Sequence, residues 1–124
     1  MRGAKFVLYA VAKEDGECPV RVFIDGLQPR NRKRLVALLD SSANNGLPRN
    51  SEKCKKIEGT DGLFEFKAHQ DRILWFYDDK ERDGRGRIVM THGFKKKGDR
   101  IRQAELKRAE DMRRAYYCAK EATT

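Results

Sequence analysis

The sequence predicts an α+β fold with a mainly antiparallel sheet, an N-terminal αα-hairpin and a C-terminal helix. Two observations carry this prediction. Three strand-like segments follow one another between residues 63 and 92 with loops too short for crossover helices. Segments with helical periodicity precede and follow them. The expected element order is β-α-α-β-β-β-α, without internal repeats, and the helices cover the faces of the sheet.

The first strand is expected from Lys5 to Val11, where valine, leucine and aromatic residues are typical of a buried strand. The run from Phe6 to Ala12 also follows Arg2 and Lys5 and ends in a small-x-small pattern, which is typical of a cleaved signal peptide. Its seven residues are the minimum for the apolar part of such a signal. We therefore favour the strand.

Two short helices should form the αα-hairpin. Pro19 suits the first turn of one helix, which Gly26 and Pro29 end, and Pro29 opens the second. Asn44-Asn45-Gly46 supplies the stop signal of the second helix. The apolar residues that share a face are Val20, Phe23, Ile24 and Leu27 in the first helix and Leu35, Leu38 and Leu39 in the second.

The rest of the chain alternates between apolar strands and charged loops. A loop is expected from Leu47 to Thr60, with Ile57 as its anchor to the core. The three strands that follow are Leu63 to Lys67, Arg72 to Tyr77 and Arg87 to His92, joined by loops at Ala68 to Asp71 and Asp78 to Gly86.

A basic turn, Gly93 to Gly98, follows the last strand. Asp99 is placed to cap the final helix. The residues that fall near one face of this helix are Leu106, Ala109, Met112, Tyr116 and Ala119.

Composition narrows the classes of function. The 124 residues carry a formal charge of +9, and a folded domain of this charge is attracted to polyanions. No apolar run approaches the 18 or so residues of a membrane helix. Cys18, Cys54 and Cys118 form no metal or disulfide pattern, which favours packing roles in a reducing cytoplasm. No metal or cofactor site is predicted.

Candidate site residues follow from strand alternation. If Phe64 and Phe66 point into the core, Glu65 and Lys67 point outward side by side, with Arg72 across the hairpin. Residues 94–114 contain nine Lys and Arg against four acidic residues. Cations with aromatic neighbours suit single-stranded nucleic acid, although a solvated basic face is the simpler alternative. The aromatic neighbours are Phe94, Trp75 and Tyr77, of which Trp75 suits the core better.

The two histidines are His69 and His92. Both are expected at the surface or at strand ends. Acid–base work by His92, beside the basic turn, is the alternative.

Four segments at family spacing resemble the phage-derived, HigB-like branch of the RelE/ParE toxin superfamily. The likeness covers nearly the whole chain and is most specific from residue 62 to 109. The segments are Gly62-Leu63-Phe64-Glu65-Phe66-Lys67, Asp71-Arg72-Ile73 with Trp75-Phe76-Tyr77, His92-Gly93-Phe94-Lys95-Lys96-Lys97, and Glu105-Leu106-Lys107-Arg108-Ala109.

This resemblance implies that residues 1–124 form one RelE-like toxin domain. It implies a type II toxin that cleaves mRNA on the translating ribosome, needs no cofactor and is neutralised by a helix-turn-helix, HigA-like antitoxin. The positions that match the RNA-cleaving surface of the family are Glu65, Lys67, Arg72, Lys95, Lys96 and Lys97.

The chain departs from the family where the basic turn meets the last helix. Gly98, Arg100, Ile101 and Arg102 stand where threonine, lysine, threonine and proline are usual. Arg100 keeps the cation. Relatives often carry a late aromatic residue that stacks on a base at the place of Ile101, a role for which Phe94 or Tyr116 would have to substitute.

RNA cleavage without a metal needs a deprotonated 2′-hydroxyl and stabilisation of the charge that develops on the phosphate. Arg72 is predicted as the phosphate clamp, with Lys95 and Lys96 as added charges. Lysines crowded by like charges have lowered pKa values, so one of them could act as base or acid. Glu65 is expected to orient Arg72 or Lys67, with general-base duty as the alternative.

Further residues complete the predicted site. The residues expected to bind RNA are Lys97, Arg100, Phe94, His92, Arg30, Arg32, Lys33 and Arg34, the last four as contacts to ribosomal RNA. Two alternatives to the nuclease stay open: a ParE-like toxin that acts on DNA gyrase without cleaving RNA, and a nucleic-acid-binding module without catalysis.

Overall fold

The computed structural model describes residues 1–122. It is an α+β structure with three helices and one five-stranded sheet in the order β1-β5-β4-β3-β2. All neighbouring strands are antiparallel except β1 and β5, which are parallel. The elements are β1 (Phe6–Ala10), α1 (Pro19–Asp25), α2 (Pro29–Asn45), β2 (Cys54–Lys56), β3 (Phe64–Ala68), β4 (Asp71–Lys80), β5 (Gly86–Lys95) and α3 (Gln103–Ala122).

The αα-hairpin forms where the sequence predicts it. Pro19 and Pro29 stand in the first turns of α1 and α2, where a missing N–H costs no helical hydrogen bond. Gly46 follows α2 at φ +99°, a conformation that favours glycine. The N–H of Gly46 donates to the Ser42 carbonyl and ends the helix. These prolines and Gly46 therefore mark the ends of the helices in the sequence.

One strand, β2, lies inside the segment that the sequence predicts as loop. Cys54–Lys56 pair antiparallel with Phe64–Phe66 and so extend the sheet beyond β3. The prediction of an uninterrupted loop from Leu47 to Thr60 is therefore wrong. Three residues with two adjacent lysines show neither alternation nor β-propensity, and the strand exists because β3 offers a hydrogen-bonding edge.

Two apolar clusters lie on opposite faces of the sheet. The hairpin covers one face with Leu35 and Leu39 above Phe66 and Trp75. α3 covers the other face, where the buried residues are Ile57, Leu63, Leu74, Phe76, Val89 and Ala109. Because both faces are covered, successive side chains along a strand point alternately into two buried clusters. They do not alternate between a core and solvent.

Thr91 and His92 form a β-bulge on β5. Trp75 pairs with Met90 and Ile73 with Gly93, so two residues of β5 oppose Leu74 alone. His92 thereby faces α3, and Gly93 faces α1. A Cβ at Gly93 would overlap the ring of Phe23, which explains why α1 packs so closely on β5 there.

The ends of several elements differ from the sequence prediction. β4 and β5 extend to Lys80 and Lys95, so the basic turn is shorter than expected. The final helix begins at Gln103, and Asp99 lies four residues earlier in the connecting segment, so the expected cap at Asp99 is wrong. No helix in residues 1–122 has the length and apolar character to cross a bilayer.

The cysteines are free. Cys18 and Cys54 are partly buried, which agrees with packing roles, but Cys118 is exposed on α3 and does not. Burial, together with the charge of Glu65, raises the pKa of the Cys54 thiol to about 11, so this thiol stays protonated at neutral pH.

Candidate nucleic-acid interface

Part of the predicted site, namely Arg72, Phe94 and the lysine run from Lys95, lies at one end of the sheet. There the β3–β4 turn, His69 and Gln70, lies beside the end of β5: Arg72 pairs with Phe94, and Asp71 pairs with Lys95. The N–H of Lys96 donates to the Gln70 carbonyl at 2.8 Å. This bond ties the start of the lysine run to the hairpin turn.

Arg72 is buried beneath this surface, with 9% of its side chain exposed. Its Nη1 donates to the His69 carbonyl at 2.6 Å and to the Asp71 carbonyl at 3.0 Å. The guanidinium therefore braces the β3–β4 turn from within. Burial limits its reach toward a phosphate in this conformation.

Glu65 is also buried, at 4% exposed, so its predicted outward position is wrong. The reason is that the segment after β2, residues 57–59, and the segment before α3, residues 99–101, lie over Glu65 on that face of β3. Glu65 Oε1 lies 3.2 Å from Arg72 Nε. Neither of these atoms makes a hydrogen bond within residues 1–122, so the pair is held by charge alone.

Two adjoining cavities open beside this buried pair. The first, of about 340 Å³, is surrounded by cations, and the second, of about 490 Å³, is lined by Glu65. Lys96, Arg100 and Ile101 line both cavities. The first is otherwise lined by Phe94, Lys95, Lys97, Arg102 and Glu105.

Two of the predicted lysines have protein partners. Lys95 Nζ lies 3.0 Å from the buried carboxylate of Asp71, and Lys67 Nζ donates to the Ser51 carbonyl at 3.3 Å. Lys67 lines a third cavity with Arg34 and His69, between α2 and β3. The structure thus brings Lys95, Lys96, Lys97 and Arg100 together and places Lys67 apart from them.

His92 is fully buried, against the expectation of a surface or strand-end position. Its Nε2 lies 3.3 Å from Glu105 Oε1, and its Nδ1 lies 3.1 Å from Thr91 Oγ1. Burial and the charge of Arg108 lower the pKa of the imidazole, and Glu105 opposes them. The bulge before Gly93 turned the ring inward, and the ring does not reach the surface to contact RNA.

His69 is exposed in the two-residue turn between β3 and β4. Its φ of +58° lies in the left-handed region, where glycine is preferred at the first position of some hairpin turns. The bonds from Arg72 to the carbonyls on either side of Gln70 hold this turn in place.

The basic start of α2 divides into two roles. Arg32 is partly buried, and its guanidinium donates to the carbonyls of Ile24, Asp25 and Leu27 at 3.0–3.2 Å. It therefore caps the end of α1, and the prediction that groups it with free RNA-binding cations is wrong in that respect. Arg30, Lys33 and Arg34 are exposed.

The aromatic residues also separate. Phe94 lines the first cavity and packs 5.7 Å from the His92 ring. Trp75 lies in the core, whereas Tyr77 is 43% exposed at the far end of β4. Tyr116 donates to Asp78 at 2.5 Å near the end of α3, too remote to replace a base-stacking residue at Ile101.

Sequence reasoning missed three residues of the site: Asp71, Gln70 and Glu105. Asp71 and Gln70 contact the predicted lysines because of strand register, and Glu105 contacts His92 because α3 packs on the sheet. Asp71 stands beside Arg72, directly before the apolar run of β4, and this position next to the predicted clamp was the signal for Asp71. Nothing local marks Gln70 or Glu105 as neighbours of the site.

The fold and this site define a small basic α+β protein whose cations meet at a sheet end. The family model described as phage-derived protein Gp49-like (DUF891) matches residues 22–122. The chain therefore belongs to the Gp49-like family, a group of RelE-type toxins of toxin–antitoxin systems that are usually ribonucleases. No curated protein matches the chain.

Proposed function

We propose that this chain is a toxin of the HigB-like branch that cleaves mRNA on the translating ribosome and so inhibits translation in the cytoplasm. Residues 1–124 act as one toxin domain. The observation that carries the proposal is the convergence of Lys95, Lys96, Lys97 and Arg100 around one cavity at the sheet end. Membership of a toxin family supports it.

The chemistry is cleavage by the substrate's own 2′-hydroxyl. This oxygen attacks the adjacent phosphorus, the bond from phosphorus to the 5′-oxygen of the next nucleotide breaks, and that oxygen takes up a proton. Negative charge builds on the phosphate oxygens in the transition state. Cations fixed around the phosphate stabilise that charge, and each such group is worth roughly 10²–10³ in rate.

Lys96, Lys97 and Arg100 contact the phosphate in this mechanism. The backbone N–H of Lys96 donates to the Gln70 carbonyl. This hydrogen bond fixes the position of the backbone from which the Lys96 side chain extends. We assign the proton transfers to the lysines of this cluster: one takes the proton of the 2′-hydroxyl, and a protonated lysine supplies the proton that the 5′-oxygen takes up. Lys95 begins in an ion pair with Asp71 and is the least available of the four.

Arg72 and Glu65 support this surface from beneath. Arg72 holds the β3–β4 turn through two carbonyls, and Glu65 lies 3.2 Å from its guanidinium. We assign Arg72 to positioning and Glu65 to orienting Arg72, and clamping of phosphate by Arg72 requires its side chain to rotate outward. Lys67 lines the separate cavity between α2 and β3 and contributes only its charge.

The partner that inhibits the toxin is a helix-turn-helix antitoxin of the HigA-like class. An acidic segment laid over Lys95–Lys97 and Arg100 would neutralise the cations and exclude RNA. Protection of these residues from lysine and arginine modification in the toxin–antitoxin complex supports this arrangement. A footprint away from them would refute it.

Mapping of RNA ends in cells that express the chain tests the function. Growth arrest with messages cut inside translated codons, and intact untranslated RNA, is the expected result. DNA damage with intact messages would indicate the gyrase-directed alternative. Translation arrest without any cut message would indicate a binding module without catalysis.

A further inference from the structure

The second cavity has an unusual floor. Glu65 lines it while 96% of the residue is buried, and its Oε1 accepts no hydrogen bond within residues 1–122. A buried carboxylate oxygen without a donor is costly, so such an atom calls for an explanation. Its neighbour, Arg72 Nε, is at ion-pair distance without hydrogen-bond geometry.

We propose that this cavity is a base-binding pocket in which Glu65 recognises guanine in RNA. A carboxylate accepts hydrogen bonds and donates none, so its ligand must present N–H groups. Guanine presents two adjacent donors, N1–H and the N2 amino group, on its Watson–Crick edge. Uracil places carbonyl oxygens on both sides of its single N–H, and these would face the carboxylate.

The other lining residues fit a base. Ile57, Ile101 and Leu106 supply apolar contacts for its flat faces, and the volume of about 490 Å³ lies in the usual range of small-ligand sites, roughly 300–1,000 Å³. The charged residues of the lining are balanced: Lys55, Lys96 and Arg100 against Glu58, Asp99 and Glu65.

The adjoining first cavity supplies the place for the phosphate. It holds five cations and one acidic residue, and it shares Lys96, Arg100 and Ile101 with the base pocket. A ligand that fits both cavities has hydrogen-bond donors at one end and a negative charge at the other, and a nucleotide has both. A cationic protein side chain would also satisfy Glu65, but the lysines and arginines of the first cavity would repel it.

This inference deepens the proposed function, since it names the base that the nuclease prefers beside the cut. Binding tests it without cleavage. The probes are GMP, AMP, CMP, UMP and inosine monophosphate, titrated into the full chain and followed by NMR of the isoleucine and leucine methyl groups. GMP should bind at least about tenfold more tightly than UMP, because a hydrogen bond to a charged group is lost with UMP. Inosine monophosphate, which lacks the N2 amino group, should bind several-fold more weakly than GMP.

The matched variants are Glu65→Gln and Glu14→Gln, the second an exposed acidic residue outside both cavities. E65Q should lose the preference for GMP, and E14Q should keep it. Equal binding of all five nucleotides, a preference for another base, or shifts remote from Ile57, Ile101 and Leu106 would overturn the inference. The wild-type ranking decides the matter even if E65Q does not fold.

The two proposals fail separately. A guanine preference that depends on Glu65 in a chain that cuts no message would retain the pocket and refute the nuclease. Cleavage of messages by a chain without that preference would retain the nuclease and refute the pocket.

Discussion

Glu65 Oε1 and Arg72 Nε lie 3.2 Å apart in the interior, yet no hydrogen bond joins them. Instead, Arg72 Nη1 donates hydrogen bonds to the carbonyls of His69 and Asp71. The orientation of the guanidinium allows it to hydrogen-bond the turn but not Glu65. The Glu65 carboxylate can therefore accept a hydrogen bond from another group. The buried pair thus links the stability of the hairpin turn to the cavity above it.

Breaking this pair should destabilise the fold. Arg72→Met leaves the Glu65 carboxylate buried without a counter-charge, and we expect a loss of roughly 3–5 kcal/mol in the free energy of unfolding. The double variant Glu65→Leu with Arg72→Met should recover part of that loss. Urea unfolding measures both. The control is Arg114→Met, from the exposed pair with Asp111, which should leave the midpoint unchanged; additive effects at Glu65 and Arg72 would contradict the coupling.

His92 should make stability depend on pH. Its pKa is lowered in the folded protein by burial and by Arg108, against the pull of Glu105. In the unfolded chain the pKa of His92 is about 6.5, so below that pH the unfolded chain binds a proton that the folded chain does not bind. The free energy of unfolding therefore falls as the pH falls toward the pKa of His92 in the folded protein. Above that range the contribution is fully present.

Unfolding by urea at pH 7, 6 and 5 measures this effect. His92→Gln should flatten the decline, because it removes the group that titrates. His69→Gln changes an exposed turn residue and should leave the decline as in the wild type. An equal slope in wild type and H92Q would show that other groups carry the pH dependence.

Arg32 should contribute to stability and Arg30 should not. Arg32→Ala removes three hydrogen bonds from a charged donor to the carbonyls at the end of α1, and we expect a loss of about 2 kcal/mol. Arg30→Ala removes an exposed cation on the same turn of α2. Thermal unfolding compares them. Equal midpoints for the two variants would refute the capping role.

The exposed cations of α2 should contribute to ribosome association. Arg30, Lys33 and Arg34 changed together to Ser, with Arg32 kept, should weaken binding to ribosomes. The slope of log affinity against log salt should fall by up to roughly 0.9 for each lost contact to a duplex phosphate. Sedimentation with ribosomes at several salt concentrations measures this, and an unchanged slope would identify the three residues as a solvated face.

The sequence predicted both helices of the hairpin and the three long strands, because prolines, Gly46 and apolar periodicity are local signals. It failed at β2, whose formation depends on the edge of β3 rather than on its own three residues. It also failed at Asp99, since the connecting segment stays non-helical up to Gln103.

The candidate site was predictable as a set of residue types but not as an arrangement. Alternation correctly separated Glu65 from Phe66, yet it could not show that a second apolar layer covers Glu65. The bulge that turns His92 inward arises from the register of β5 against β4. The division between Arg32 and its neighbours depends on where α1 ends in space.

The cleavage of a defined message by purified components tests the central claim most directly. Wild-type chain, ribosomes and an mRNA with a known codon in the decoding site are mixed, and the single-turnover cleavage rate is measured. The triple variant K96S/K97S/R100S should cut at least about 100-fold more slowly. The control triple is Lys5, Lys80 and Arg82 changed to Ser, three exposed cations at the opposite end of the sheet, and it should cut at the wild-type rate. A wild-type chain that leaves the message intact, or a site variant that cuts at the wild-type rate, would contradict the account.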